Sequence, residues 1–267
     1  SYDQWPHLIA PGAMPTCERL IADGELRRMH SSIPEVSSVA WTSIVTGTNP
    51  GTHNVYGFTD LIDGSYGLGF TSARTRKAPP FWEQDDGRSL IMNVPQTYPA
   101  SPLPGVLVAG YVALDLERSV HPPDKLPVFQ DAGYEIDVDM SVIQESRERF
   151  WEELTRVLQT RVKVFETLWE EEPWDRVMFV VTGTDRASHY MWDQWEDEHA
   201  PHHQRYLDFF REVDRALGAV LERLGDDDIL VLVSDHGFER QELSINLNAV
   251  LRAQGYLRVA EDERVTY

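Results

Sequence analysis

The stretch Val177-Met-Phe-Val-Val181-Thr-Gly-Thr-Asp185 puts an apolar run directly before a polar turn. A short run rich in β-branched residues and followed by glycine is typical of a buried strand. Similar runs recur along the chain, and amphipathic segments with apolar residues three and four positions apart separate them as helices. The predicted strands are 89–94, 106–109, 177–181 and 229–233, and the predicted long helices are 142–171 and 204–224. This alternation predicts an α/β fold with a mostly parallel central sheet and helices on both faces.

Composition narrows the class of protein. The chain has 267 residues and a formal net charge of −20, from 44 acidic and 24 basic side chains. Such an acidic chain argues against a nucleic-acid polymer as a partner. The apolar runs are far shorter than the roughly 18 residues of a membrane span, so none is expected. The single cysteine, Cys17, excludes an internal disulfide and a cysteine-based zinc cluster. It fits a reducing compartment, and on that ground the cytoplasm is the favoured location.

Two carboxylate–histidine pairs follow two of the predicted strands. Asp185 and His189 follow the strand quoted above, and their four-residue spacing puts both side chains on one face of a helical turn. Asp235 and His236 directly follow the last predicted strand and precede a glycine that allows a sharp turn. Each pair alone is compatible with a surface ion pair or an ordinary turn. Because parallel strands end at one edge of a sheet, the two pairs together predict a two-metal site there.

A serine lies where an extended segment meets another predicted helix. The segment begins at Pro34, reaches Ser37, and continues as a helix that is predicted to end near Gly47. A serine in this place is by default a helix N-cap. The same place puts its hydroxyl at the positive end of the helix, where backbone N–H groups favour a phosphate and a bound metal lowers the hydroxyl pKa. By this reasoning Ser37 and its neighbour Ser38 are both candidate nucleophiles.

In combination and order, these segments resemble the alkaline phosphatase superfamily, specifically its type I phosphodiesterase and nucleotide pyrophosphatase branch. The residues that carry the resemblance are 34–47 with Pro50 and His53, 80–82, 93–95 with Tyr98 and Pro99, 183–185 with His189, 234–238 and 246–257. The resemblance implies one alkaline-phosphatase-like domain over residues 1–267, with 59–140 as an irregular region that rims the site. Counted back from Thr46 and Gly47, it implies Ser37 as the nucleophile.

The resemblance also implies two divalent metal ions, commonly zinc in this branch, with manganese as an alternative. The implied ligands are Asp235, His236 and Ser37 for one ion, and Asp185 and His189 for the other. Each set lacks one strong ligand, because the family's first aspartate would precede Ser1 and its last histidine would follow Tyr267. Asp3 is a poor substitute for that aspartate. The chain is therefore expected to be incomplete at both ends.

The implied activity is hydrolysis of a small phosphate ester, a phosphodiester or a phosphomonoester, through a phosphoserine on Ser37. Phe58 stands where nucleotide pyrophosphatases have an asparagine that binds a phosphate oxygen, and Asn54 is the suggested replacement donor. His53 is equally compatible with packing and with a site role. The alternative enzyme classes are sulfatase, phosphonate hydrolase and phosphoglycerate mutase. Outside enzymes, the alternative is a non-catalytic fragment or a degenerate binding module.

Overall fold

The computed structural model describes residues 2–258. The chain divides into two compact units, Ser1–Gly237 and Phe238–Tyr267. The helices are α1 (Trp5–Ile9), α2 (Pro15–Asp23), α3 (Ser37–Thr46), α4 (Pro50–His53), α5 (Leu126–Asp131), α6 (Val142–Glu145), α7 (Arg147–Trp169), α8 (Gly183–Glu196), α9 (His203–Leu221) and α10 (Leu247–Ala253). The strands are β1 (Thr59–Leu61), β2 (Leu68–Phe70), β3 (Ser89–Val94), β4 (Gly105–Ala109), β5 (Val120–His121) and β6 (Arg176–Phe179). Over the described part of the chain, no helix has the length and apolar character that a membrane span requires.

The central sheet lies in the first unit and has the strand order β5-β4-β3-β6. β3 pairs in parallel with both β4 and β6, whereas the short β5 pairs antiparallel with β4. β1 and β2 form a separate antiparallel hairpin. The predicted α/β fold with a mostly parallel sheet is thus confirmed. Parallel pairing also places the carboxyl ends of β3, β4 and β6 at one edge of the sheet.

Helices cover the sheet on both faces, and every residue of β3 is buried. Successive side chains of a strand point to opposite faces. Leu90 and Met92 pack in one apolar cluster with Phe165 of α7. Ile91 packs in another cluster with Trp41 of α3. The sheet therefore fixes α3 and α7 on opposite faces, as is usual for strands buried on both sides.

Helix α3 carries the predicted nucleophile in its first turn. Val36, with extended backbone, is the N-cap and Ser37 is the first helical residue, so the expected N-cap position falls one residue earlier. The helix ends as predicted at Gly47, which has a left-handed backbone with φ of 64°. Glycine adopts this conformation without steric cost. The Ser37 hydroxyl consequently lies at the positive end of the helix.

The two long predicted helices are present with altered bounds. The prediction 142–171 corresponds to α6 and α7, which Ser146 separates. The Ser146 hydroxyl accepts a 3.3 Å hydrogen bond from the Arg149 backbone N–H and caps α7. The prediction 204–224 corresponds to α9, where Leu207 is buried as expected. Both helices pack with α8 in one apolar cluster, which supports the helix that follows β6.

The prediction of a strand at 229–233 is wrong. These residues form no regular element, and Ile229, Val231 and Leu232 are 89%, 74% and 54% exposed. Within residues 2–258, β6 pairs with β3 alone, and no ladder joins the run 229–233 to a described strand. Backbone groups without a ladder partner turn to solvent. An apolar run becomes a strand only where a neighbouring strand and a core receive it.

Residues 59–140 combine irregular connections with regular elements. They contain β1 to β5 and α5, so the region expected to rim the site also supplies two central strands. Gly110 follows β4 directly, and a Cβ there would lie 2.2 Å from the carbonyl oxygen of Asn93. Only glycine permits this close approach of the two strand ends. The next residue, Tyr111, lies against Arg186 on α8.

The second unit contains a single described helix within residues 238–258, α10. Asn246 caps it, because its Oδ1 accepts a 3.0 Å hydrogen bond from the Ala249 backbone N–H. Gly255 follows the helix with φ of 80°. The segment 246–257, which carried part of the family resemblance, is thus a capped helix and the turn after it.

Candidate active site

β6 and α8 position the first carboxylate–histidine pair. β6 ends at Phe179 and α8 begins at Gly183, so Asp185 lies in the first helical turn and His189 one turn later. Asp185 Oδ1 lies 3.4 Å from His189 Nε2. The pair therefore shares one helical face, as its spacing predicts. A carboxylate in the first turn is also favoured by the helix dipole.

The second pair lies outside regular secondary structure at the end of the first unit. The Ser31 hydroxyl donates a 2.5 Å hydrogen bond to the carbonyl oxygen of Asp235. His236 Nδ1 lies 2.9 Å from the carbonyl oxygen of Gly237. Because a carbonyl can only accept, Nδ1 is the donor of this hydrogen bond. In the neutral imidazole with the proton on Nδ1, Nε2 can accept a hydrogen bond or bind a metal.

Both aspartates and the predicted nucleophile lie close to His236 Nε2, and His189 is linked to them through Asp185. This nitrogen lies 3.0 Å from Ser37 Oγ, 3.5 Å from Asp235 Oδ2 and 3.7 Å from Asp185 Oδ1. The side chains of Asp235 and His236 are each 13% exposed and that of Asp185 is 25% exposed, whereas His189 is 53% exposed. The structure therefore brings together all five residues proposed from the sequence, although Ser37 and His236 are 199 positions apart.

With this geometry in view, comparison with known proteins gives the family. The family model for type I phosphodiesterase / nucleotide pyrophosphatase matches residues 5–267. The chain belongs to this family. The match confirms the family resemblance that was predicted from the sequence. A search of curated protein sequences finds no significant match.

Two solved structures are similar to this type I phosphodiesterase family member. Both are of phosphonoacetate hydrolase from Sinorhizobium meliloti 1021. The complex with phosphonoformate has a TM-score of 0.51 and 15% identity, and the complex with phosphonoacetate has 0.54 and 17%. Each comparison covers 81% of this chain and 49% of the solved chain, so the chain spans about half the length of these structures. At this identity the likeness shows the fold, which is alkaline-phosphatase-like.

The buried carboxylates of this family member fit a cation. Burial raises the pKa of the Asp235 carboxyl, the charge of His236 and a hydrogen bond from Ser37 lower it, and the charge of Asp185 raises it; the net direction is upward. Asp185 Oδ1 and Asp235 Oδ2 are buried and have no hydrogen-bond partner among the described residues. Leaving such oxygens unpaired is costly, and a bound divalent ion would remove that cost.

The donor set is smaller than a complete metal site. In the described range 2–258, no group of three or more His, Cys, Asp or Glu side chains is arranged so that it could hold a metal ion. His236 Nε2 and the Ser37 hydroxyl, which lie 3.0 Å apart, are further possible donors. Catalytic metal sites keep an open position for water or substrate, in contrast to closed structural sites. The chain thus offers part of the coordination that a divalent ion needs.

Two other residues predicted near the phosphate lie in the loop after α4. Asn54 ends α4 with a left-handed backbone, φ 64°. Its role as a donor to the phosphate stays a prediction. Phe58 packs edge-on against Tyr111 with ring centroids 5.5 Å apart. The position of the family's asparagine therefore presents an aromatic surface and no hydrogen-bond donor.

His53 has a packing role. It is fully buried, and its Nδ1 accepts a 3.1 Å hydrogen bond from the Val55 backbone N–H. The ring proton is therefore on Nε2, which lies 2.9 Å from Ser43 Oγ. Burial lowers the pKa of His53, and the positive charge of Arg76 lowers it further. A neutral imidazole with both nitrogens engaged holds the loop after α3 in place.

Sequence reasoning missed three residues beside the first pair. Arg186 Nη1 lies 3.2 Å from Asp185 Oδ2, and Arg186 Nε lies 3.1 Å from Asp137 Oδ2. The guanidinium carbon lies 4.6 Å from the centroid of the Tyr111 ring. An arginine next to a predicted ligand was a visible signal. Asp137 and Tyr111 lie in the rim region, and only the fold shows which residue they face.

Proposed function

We propose that this protein hydrolyses a small phosphate ester by attack of Ser37, with two divalent metal ions bound at the candidate site. The observation that supports this most is the convergence at His236 Nε2, where Ser37 Oγ, Asp235 Oδ2 and Asp185 Oδ1 all lie within 3.7 Å. Membership of the type I phosphodiesterase family supplies the chemical class. Hydrolysis of either a phosphodiester or a phosphomonoester is consistent with this site.

Each residue has a proposed role. Asp235, His236 and Ser37 would hold one ion, and Asp185 and His189 the other. The bound ions, zinc or manganese, would supply the positive charge that lowers the serine pKa and stabilises the phosphate oxygens. Ser37 Oγ would lose its proton and form a bond to phosphorus while the ester alcohol departs and takes up a proton. Water would then break the Ser37–phosphorus bond, which releases phosphate from a monoester substrate or a phosphomonoester from a diester substrate. The N-terminus of α3 favours the anionic phosphate next to Ser37.

The proposed substrate is small. A polymeric nucleic acid is disfavoured by the formal charge of −20. The edge-on ring pair of Phe58 and Tyr111 replaces the amide donor of nucleotide pyrophosphatases, which disfavours a substrate that depends on that donor. An aromatic surface beside the phosphate site instead suits an apolar ester group.

The test is a matched pair of serine variants. Ser37→Ala should lower kcat on an aryl phosphate ester by at least about 1,000-fold, because the nucleophile is lost, while the bound zinc is largely retained. Ser38→Ala is the control, since Ser38 is fully buried one residue along the same helix. It should keep most of the activity. Wild-type turnover by Ser37→Ala would refute the proposal, and mass spectrometry of acid-quenched enzyme should find phosphate on Ser37.

A second candidate function is ester hydrolysis by Ser37 without metal ions, and it rests on one contact. Ser37 Oγ lies 3.0 Å from the acceptor nitrogen of His236, which is also the geometry of a serine nucleophile and its general base. A chelator separates the two candidates, because it should abolish turnover if metal ions are required and leave it unchanged if the Ser37–His236 pair acts alone.

Rates on phosphonoacetate and on an aryl phosphate ester, measured side by side, test the alternative of a phosphonate substrate.

A further inference from the structure

The residue after Asp185 has a role in the site that depends on the proposed function of Asp185 as a metal ligand. We infer that Arg186 is a positioning residue, which holds the Asp185 carboxylate in the orientation that a divalent ion requires. We infer further that Asp137 acts on the metal site only through Arg186. The contacts of the guanidinium group carry both steps.

Arg186 is held between two carboxylates and a ring. Its Nε and Nη2 both donate to Asp137 Oδ2, the former at 3.1 Å, and its Nη1 donates to Asp185 Oδ2 at 3.2 Å. The Tyr111 ring covers the guanidinium, and the Arg186 side chain is 13% exposed. Adjacent residues on a helix do not face each other. Arg186 reaches back to Asp185 because Asp137 and Tyr111 fix the guanidinium from outside the helix.

The anchor for Arg186 is itself rigid. The carbonyl oxygen of Ile136 accepts hydrogen bonds from Arg161 Nη2 at 2.8 Å and from Asn93 Nδ2 at 2.9 Å. Arg161 is 1% exposed and lies on α7, while Asn93 lies in β3. Asp137 Oδ1 accepts a 2.9 Å hydrogen bond from the next backbone N–H, which leaves Oδ2 for Arg186. The backbone at Asp137 is therefore fixed to the central sheet and to a long helix.

Because Arg186 holds Oδ2 of Asp185, it also fixes the position of the other carboxylate oxygen, Oδ1. With Oδ2 held by Arg186, Oδ1 lies 3.4 Å from His189 Nε2 and 3.7 Å from His236 Nε2. Oδ1 is also buried without a hydrogen-bond partner in the described part of the chain. Partners that orient a metal ligand typically change metal affinity 10- to 100-fold. A purely structural ion pair would change stability and leave the affinity unchanged.

The experiment titrates the metal-free protein with Zn²⁺ alone and follows binding by calorimetry. Arg186→Gln and Asp137→Asn should each weaken binding at one site by about 10- to 100-fold. In the double variant the second substitution should add less than about twofold, because Asp137 acts through Arg186. Arg186→Lys should lie between wild type and Arg186→Gln, since lysine keeps the charge and loses the planar fork.

The matched control is Arg147→Gln, which removes another arginine that pairs with α8 from outside, through Asp193 at 2.9 Å. It should leave zinc affinity unchanged. Circular dichroism and Tm establish folding, and Asp137→Asn carries the test should Arg186→Gln not fold. If Arg186→Gln and Asp137→Asn both keep wild-type zinc affinity while Asp185→Asn binds zinc more weakly, the positioning role of Arg186 is overturned and the proposed function stands. Additive losses of affinity in the double variant would likewise overturn the inference that Asp137 acts through Arg186. Unchanged zinc affinity in Asp185→Asn would instead overturn the proposed function.

Discussion

The two carboxylate–histidine pairs follow similar apolar runs, yet the structure holds them differently. Asp185 and His189 lie on α8, directly behind β6, whose ladder with β3 is regular. Asp235 and His236 follow a run that forms no strand and is largely exposed. The first pair is placed by secondary structure, and the second by hydrogen bonds to two serines of the α3 region, Ser31 and Ser37. The proposed metal ligands are thus positioned in one pair with a strand behind it and in the other pair without one.

Of the variants that compare the two pairs, the largest expected effect comes from removing one pair at a time. Asp185→Asn combined with His189→Ala, and separately Asp235→Asn combined with His236→Ala, should each remove one equivalent of zinc. Each should lower turnover by at least about 100-fold, because both ions are needed. Metal analysis after dialysis measures the stoichiometry.

The control for both double variants is His199→Ala. His199 is 87% exposed at the side chain and lies in the acidic stretch after α8. It should retain both ions. If either double variant kept two equivalents, the two pairs would not serve separate ions, and the distinction between them would have no chemical meaning.

Much of the fold could be predicted from local sequence periodicity. Strand β3 and helix α9 follow from apolar spacing, because each has a core that receives its apolar side chains. The run 229–233 has the same local signal and is not a strand. Periodicity measures the tendency of a segment to be buried, and it contains no information about whether a neighbouring strand exists.

In the candidate site, too, local sequence predicts some residues, and only the fold shows others. The five converging residues could be proposed because they follow strand-like or helix-start segments, where parallel α/β sheets collect functional groups. Arg186 and Asp137 are 49 positions apart, and nothing local in the sequence couples them. Asn54, suggested by its position near a missing donor, is the C-cap of α4, and its role as a phosphate donor stays a prediction. Contacts between distant segments require the fold.

A smaller effect is expected from shortening one valine in each apolar run. Val180→Ala should lower the free energy of unfolding by about 1–3 kcal/mol, since Val180 is 6% exposed and its backbone N–H bonds to β3. Val231→Ala should change it by less than about 0.5 kcal/mol, since Val231 is 74% exposed. Denaturant unfolding of the two variants compares them directly. Equal losses would show that the second run is buried and paired in solution.

The smallest expected effect is on the stability of the metal-free protein, where substitutions of Asp235 and Asp185 should act in opposite directions. Burial raises the folded-state pKa of Asp235 above its ordinary value of 3.8, so the folded state holds the proton more tightly than the unfolded state. The ionised carboxylate therefore destabilises the fold increasingly as the pH rises from the ordinary pKa to the raised one, and the penalty is complete above the raised pKa. Asp235→Asn should accordingly stabilise the metal-free protein at pH 7, with an advantage that shrinks as the pH falls toward about 4.

Asp185→Asn should have the opposite sign at pH 7. It weakens the hydrogen bond from Arg186 Nη1, which is 3.2 Å long and partly buried, and should cost about 1–2 kcal/mol. Urea unfolding with a chelator present, at several pH values between 4 and 7, measures both variants against wild type. If Asp235→Asn destabilises at pH 7 as Asp185→Asn does, then Asp235 is held by compensating contacts of its own. The contrast between a carboxylate paired by the fold and one left for a metal ion would then fail.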